Sequence, residues 1–149
     1  MLFRSLSFVQ DYLELEKARF GERLRVKQTI SVDNAEIPCF TLQLLIENAI
    51  KHGASPKIGT TTIHILTLQQ GDRVQIQVSD DGVGMPKNTL ARILEKGYGL
   101  RNLIERLNIL YASEFSWSVE SEFQKGTVVS LQLPSVCCGS GPLGFCGID

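Results

Sequence analysis

Four apolar stretches follow one another in a fixed order, and their period changes from helix to strand and back. Leu42, Leu45, Ile46 and Ala49 recur at i, i+3, i+4 and i+7, the spacing of one buried helix face. Residues 60–68 are rich in β-branched side chains, and Val74, Ile76 and Val78 alternate with polar residues behind the turn signal Gln70-Gly71-Asp72. Leu100, Leu103, Ile104, Leu107 and Leu110 return to the helical period. Elements that are each apolar on one side only must bury those sides together. The pattern therefore predicts helices packed on one face of a sheet.

The flanking segments extend this plan. Leu6, Val9, Leu13 and Phe20 predict an N-terminal helix that Gly21 ends. Leu24–Ser31 alternates and reads as a strand, and Pro38 precedes the Leu42 helix, which Gly53 is placed to terminate. Residues 82–97 contain Pro86 and few apolar anchors, so they read as a long mobile loop with one helical turn around 90–94. Residues 115–121 and 127–133 read as two strands around Lys125-Gly126. Beyond Pro134 the chain is rich in glycine and cysteine and has no periodicity. The expected class is α/β, a two-layer sandwich with helices on one face of a mixed, largely antiparallel sheet.

Composition narrows the function. The 149 residues suit one domain, and 43% hydrophobic content supports a sizeable core. A net charge of −1 argues against a nucleic-acid binder that works by neutralising phosphates. No apolar run approaches the roughly 18 residues of a membrane span, and Arg4, Asp11 and Glu14 interrupt any signal-peptide core. Cys39, Cys137, Cys138 and Cys146 form neither a disulfide framework nor a zinc pattern, so reduced thiols in a cytoplasmic chain are expected.

Three motifs carry chemistry. Asn48, Lys51 and His52 lie at i, i+3 and i+4, opposite the core stripe. An amide oxygen is a hard ligand suited to Mg²⁺, which usually keeps several waters and shares substrate phosphates; an ammonium one turn on reaches the same phosphates. Asp80 stands where the Val74–Val78 alternation stops. A carboxylate there accepts a hydrogen bond from the exocyclic amine of adenine, whereas guanine presents a carbonyl. Gly82 and Gly84 allow close approach of a ring. Gly97 and Gly99 precede the last helix at Leu100, whose free N–H groups favour an anion. Singly, each motif has an ordinary reading: a solvated helix face, a polar turn, a flexible helix entry. Their order, each on the element its chemistry needs, points to a purine, a metal and a polyphosphate bound together.

Order and spacing resemble the ATP-binding domain shared by sensor histidine kinases, gyrase-type ATPases and the heat-shock chaperone of that superfamily. The match narrows to the C-terminal catalytic module of LytS-type sensor histidine kinases. It is carried by Tyr12-Leu13-Glu14 and Arg19-Phe20-Gly21, by Ile37-Pro38, Gln43 and residues 46–53, and by Asp80, Gly82, Val83, Gly84 and Met85. Gly99-Leu100-Arg101-Asn102, Glu105-Arg106-Leu107, Leu110-Tyr111 and Gly126-Thr127 extend it, so the resemblance spans residues 9–134.

The resemblance implies Mg²⁺ on Asn48 and phosphate on Lys51, the two residues with a catalytic part. His52 would pack near the nucleotide, and Asp80 would read adenine in a pocket shaped by Gly82 and Gly84. Gly97, Gly99 and Leu100 would form the hinge and phosphate cradle after an ATP lid, with Thr127 a support beneath adenine. It also implies a linker helix over 1–22, the ATP-binding domain over 23–134 and an irregular tail over 135–149. The implied partners are a histidine-bearing dimerisation domain and a response regulator, without nucleic acid. The implied setting is a cytoplasmic domain of a parent in the bacterial inner membrane, homodimeric only at full length.

Departures shape the alternatives. Leu44 stands where the family often has proline, which favours a regular helix. Tyr98 replaces a smaller or aliphatic residue. The only histidines, His52 and His64, lack the flanking pattern of a phosphoacceptor motif. An ATP-hydrolysing switch of the gyrase or chaperone kind would carry a glutamate where Leu44 stands, and Glu47 points about 100° around the helix from Asn48. A non-catalytic nucleotide-binding scaffold is the remaining alternative.

Overall fold

A computed structural model describes residues 2–31, 38, 40–95 and 99–134, with side chains from Val9 onward. The Leu6 side chain, Gly97, Tyr98 and the tail over 135–149 lie outside the described residues.

Helix α1 (Leu2–Phe20) leads to strand β1 (Leu24–Ser31). Helix α2 (Phe40–Ala49) follows and passes without interruption into a π-helical turn, Ile50–Ala54. Strands β2 (Thr61–Gln70) and β3 (Arg73–Asp80) form the hairpin. Helices α3 (Lys87–Glu95) and α4 (Gly99–Tyr111) precede the closing strands β4 (Ser116–Glu122) and β5 (Gly126–Pro134).

The five strands lie in the order β1-β2-β3-β5-β4. Strand β1 pairs parallel to β2, and every other pairing is antiparallel, which makes the sheet mixed and largely antiparallel. In β2 and β3 alternate residues are buried, and their buried positions share one face: Ile63 pairs with Asp80, Ile65 with Val78. That face and the helices enclose a single core. Val9 and Leu13 come from α1, Leu42, Leu45 and Ile46 from α2, and Leu100, Leu103 and Leu107 from α4. The period-2 and period-3.6 stripes thus meet as the sequence requires.

Two expectations need correction. Residues 82–97 are not mainly loop, because Lys87–Glu95 forms a helix. Proline is tolerated at a helix start, where its missing N–H would have no partner. Pro86 begins this helix, with its carbonyl accepting the Leu90 N–H at 3.1 Å. Ile93 is buried and Leu94 packs on the core, anchoring enough for a short helix that still lacks a broad apolar stripe. Gly53 likewise does not stop the preceding helix. The backbone widens into the π turn, in which the Ser55 N–H donates to the Ile50 carbonyl at 2.8 Å, and Gly53 sits inside it.

Candidate functional site

The π turn, the end of β3 and the start of β5 converge at one end of the sheet. Asp80 is the last residue of β3 and is only 9% exposed; across the ladder it faces Thr127, also buried. Its Oδ1 accepts the Gly82 N–H at 2.9 Å. Its neighbour Asp81 is exposed and differently engaged. Asp81 Oδ1 accepts the Thr62 N–H at 2.7 Å and lies 3.7 Å from Lys57 Nζ. Asp80 has no ion pair among the described residues. Burial pushes its carboxyl from the ordinary 3.8 up to about 6, against the opposing pull of the Gly82 N–H. Asp81 raises it further, while the Thr127 N–H and Lys57 lower it. A buried carboxylate without a cation is an acceptor awaiting a donor.

Glycines permit this convergence. A Cβ on Gly53 would collide with the Asp80 carboxylate, and one on Gly82 would lie 2.5 Å from the Gly53 backbone. Gly84 has φ +63°, and a Cβ there would strike the Glu122 carbonyl oxygen. Gly126 in turn leaves no room for a Cβ against the Asp80 carbonyl oxygen. Side-chain hydroxyls tie the two loops together. Ser121 Oγ accepts the Met85 N–H at 2.8 Å and lies 2.7 Å from Thr127 Oγ1.

The helix side is more open. Asn48 is half-buried, Lys51 exposed and His52 half-buried. Neither Asn48 nor Lys51 has a hydrogen-bond or ion-pair partner among the described residues. Burial, with the Lys51 charge second, pushes His52 below its ordinary value and favours neutral imidazole. Glu47 faces elsewhere: its Oε1 accepts from Gln43 Nε2 at 3.0 Å, and its charge acts on Tyr12 of α1. Burial first, then Glu16 and Glu47, push the Tyr12 hydroxyl up to about 12. Gly99 begins α4 beside Leu44, whose Cδ2 lies 4.0 Å from where a Gly99 Cβ would be. Leu100 is 2% exposed, so its side chain belongs to the core and only its backbone N–H remains for an anion. Gly97 lies outside the described residues.

The donor set suits the ligands implied. No cluster of three or more His, Cys, Asp or Glu among the described residues could hold a metal unaided. One amide that shares a cation with phosphates and water is what Mg²⁺ tolerates, and the Asn48 amide has no partner among the described residues. No described helix is long and apolar enough to cross a membrane.

Reasoning from sequence missed Gly53 as a close-packed wall, Gly126 as its counterpart on β5, and Ser121 altogether. The glycines were visible as residues, but the collisions that require them lie between distant segments. Ser121 carries no local signal.

A buried acceptor among glycine backbones, beside a polar helix face and a glycine helix entry, has the chemistry to take a flat amine-bearing ring attached to a polyanion. That defines the class: an ATP-binding α/β sandwich. Comparison with known proteins gives the family. Residues 38–136 match the family described as histidine kinase-, DNA gyrase B- and HSP90-like ATPase, and the chain belongs to it. The sensor protein LytS of Bacillus subtilis is 33% identical over 143 residues, covering 89% of this chain and 24% of LytS. The sensor histidine kinase BtsS of Escherichia coli is 32% identical over 132 residues, covering 87% of this chain and 23% of BtsS. The chain therefore spans about a quarter of the length of these curated relatives. Its fold is that of histidine-kinase catalytic domains. The catalytic domain of histidine kinase ThkA superimposes with TM-score 0.66 at 15% identity, over 91% of this chain and 94% of that one. The mycobacterial sensor histidine kinase MprB gives 0.65 at 13% identity, over 89% and 96%. The chain is an ATP-binding catalytic domain of the sensor-histidine-kinase kind.

Proposed function

We propose that this domain holds Mg·ATP and presents its γ-phosphoryl group to a histidine outside the chain, on the dimerisation domain of a longer sensor kinase. The parent would lie in the bacterial inner membrane, and the phosphoryl group would pass on to a response regulator. The observation that carries the reading is the Asp80 carboxylate, buried without a cation and enclosed by Gly53, Gly82 and Thr127. Asp80 accepts the adenine amine, Gly82 and Gly84 keep the ring against backbone, and Thr127 supports it. His52, neutral, packs beside the nucleotide. Asn48 holds the metal and Lys51 the phosphates. The Gly99 and Leu100 N–H groups, with Gly97 as hinge, cradle the phosphate chain. Bound Mg·ATP supplies the phosphoryl group and its charge neutralisation; the chain contributes position and electrostatics. Helix α1, packed on α2, is the link from the dimerisation domain, and α3 is the body of the lid.

An ATP-hydrolysing switch lacks its base here. Leu44 occupies the position, and Glu47 is engaged by Gln43 on the side facing α1. Calorimetry with Mg²⁺ tests the nucleotide assignment. ATP and ADP should bind and GTP should not compete, and Asp80→Asn should lose roughly 1.5–3 kcal/mol of binding. Equal affinity for ATP and GTP would contradict it.

A further inference from the structure

Lys57 lies between the π turn and β2, outside the motifs that mark the nucleotide site. Its backbone is held on both sides: its N–H donates to the Ala54 carbonyl at 3.2 Å, and its carbonyl accepts Arg23 Nη2 at 2.7 Å. From this fixed base its Nζ donates to the Asp81 carbonyl at 2.7 Å. That carbonyl and the Gly82 N–H are the two ends of one peptide unit, and the N–H donates to Asp80 Oδ1 at 2.9 Å. A trans peptide is planar with its C=O and N–H pointing in opposite directions, so a cation that holds the carbonyl aims the N–H at the carboxylate. Gly82 has no Cβ to favour one orientation of that peptide over the other. The ion pair between Lys57 Nζ and Asp81 Oδ1 is 3.7 Å long, with side chains 29% and 58% exposed, so it is screened and secondary to the carbonyl bond.

We propose that Lys57 is a positioning residue for the base acceptor: it locks the Asp81–Gly82 peptide so that the Gly82 N–H holds the Asp80 carboxylate in one orientation. With the peptide turned over, the Asp81 carbonyl would face Asp80, oxygen against oxygen, and the carboxylate would lose a donor. A charged donor on the carbonyl also polarises the peptide and strengthens the bond at its other end. Two charges act on Asp80: Asp81 raises its carboxyl, and Lys57 lowers it against the larger effect of burial. The inference rests on the adenine reading of Asp80 and adds the group that keeps that acceptor in place.

The test is a double-mutant cycle on this chain, read as ADP affinity with Mg²⁺ by calorimetry. Lys57→Met keeps the length of the side chain and removes its charge and donor. It should weaken ADP about tenfold, the size of one ordinary hydrogen bond, and by less than about twofold when Asp80→Asn is already present. Lys57→Arg, which keeps a charged donor, should restore affinity. The pH below which ADP affinity falls should move upward in Lys57→Met from its wild-type position near 6. If Lys57→Met does not fold, Lys57→Gln should show the same dependence on Asp80. An equal loss with and without Asp80→Asn would overturn the proposal, since Lys57 would then act on the nucleotide by another route. An unmoved pH midpoint would overturn it as well. The two claims fail separately. Wild-type protein that binds ADP and GDP equally contradicts the adenine reading itself. Wild-type preference for ADP that is untouched by Lys57→Met contradicts only the role given to Lys57.

Discussion

Gly53 and Asp80 meet where no side-chain carbon fits, since a Cβ on Gly53 would fall on the carboxylate. Gly53→Ala should therefore displace Asp80 or open the π turn, with a stability cost of about 1–3 kcal/mol, the range of overpacked sites. Nucleotide binding should be lost while most of the fold persists, as checked by thermal melting beside calorimetry. Unchanged ADP affinity would show that the two groups do not share a wall. Asp80 also makes binding depend on pH. Its carboxyl sits near 6 in the free domain. A donor from adenine favours the ionised form, so the nucleotide-bound value is lower. Affinity for ADP should hold above about 6 and fall as pH drops through that value, with protons released on binding near pH 6. The sign for stability is opposite. A carboxyl raised in the folded state contributes most below its unfolded value, and that contribution is lost as pH rises through 6. At pH 7 the buried charge costs on the order of 3 kcal/mol at most. Asp80→Asn should thus raise the melting temperature at pH 8 more than at pH 5 while weakening nucleotide binding. Melts at both pH values, with buffer-dependent calorimetry, check both signs.

Among the elements, α3 is the one whose form the sequence hid. Leu90, Ile93 and Leu94 are too few to announce a helix, and Pro86 reads as a breaker unless the helix begins there. Its far end is held from α4. Arg101 donates through Nη1 to the Leu94 carbonyl at 2.9 Å and the Glu95 carbonyl at 2.8 Å, and through Nε to Glu105 at 2.8 Å. These are the orphan carbonyls of a helix C-terminus, so one guanidinium caps α3 from its neighbour. Arg101→Ala should speed hydrogen exchange over 87–95 by about tenfold in the absence of nucleotide and cost about 1–2 kcal/mol of stability. The exposed pair with Glu105 contributes little of that. Exchange in α3 no faster than in wild type would remove Arg101 as its anchor. The other elements were legible because their periods are clean: β1, the β2–β3 hairpin, α2 and α4 lie where the stripes put them. The candidate site was legible only where a motif is local. Asp80 and Gly82 stand two residues apart and announce a turn. The approach of Gly53 to Asp80, and of Ser121 to Met85, depends on tertiary packing that no window of sequence contains.

For the molecule as a whole, the core joins every layer, so α1 is no appendage. Val9 and Leu13 are buried with α2 and the sheet, and Arg19 and Arg23 stack on Phe20 at 5.3 and 5.6 Å where the helix leaves for β1. A movement of α1 imposed from outside would thus reach α2, which carries Asn48. The domain accounts for nucleotide binding, and the acceptor proposed above lies outside these residues. His64 reinforces that division. It follows Ile63, the ladder partner of Asp80, on β2, but points to the opposite face of the sheet, with Nε2 3.0 Å from Thr29 Oγ1. The central claim is tested most directly by incubating this chain with radiolabelled Mg·ATP, alone and with a dimerisation domain bearing an acceptor histidine, and mapping the label on each chain. The isolated domain should carry no label, and acid-labile phosphate should appear on the added chain only. Stoichiometric label on His52 or His64 of the isolated domain would contradict it.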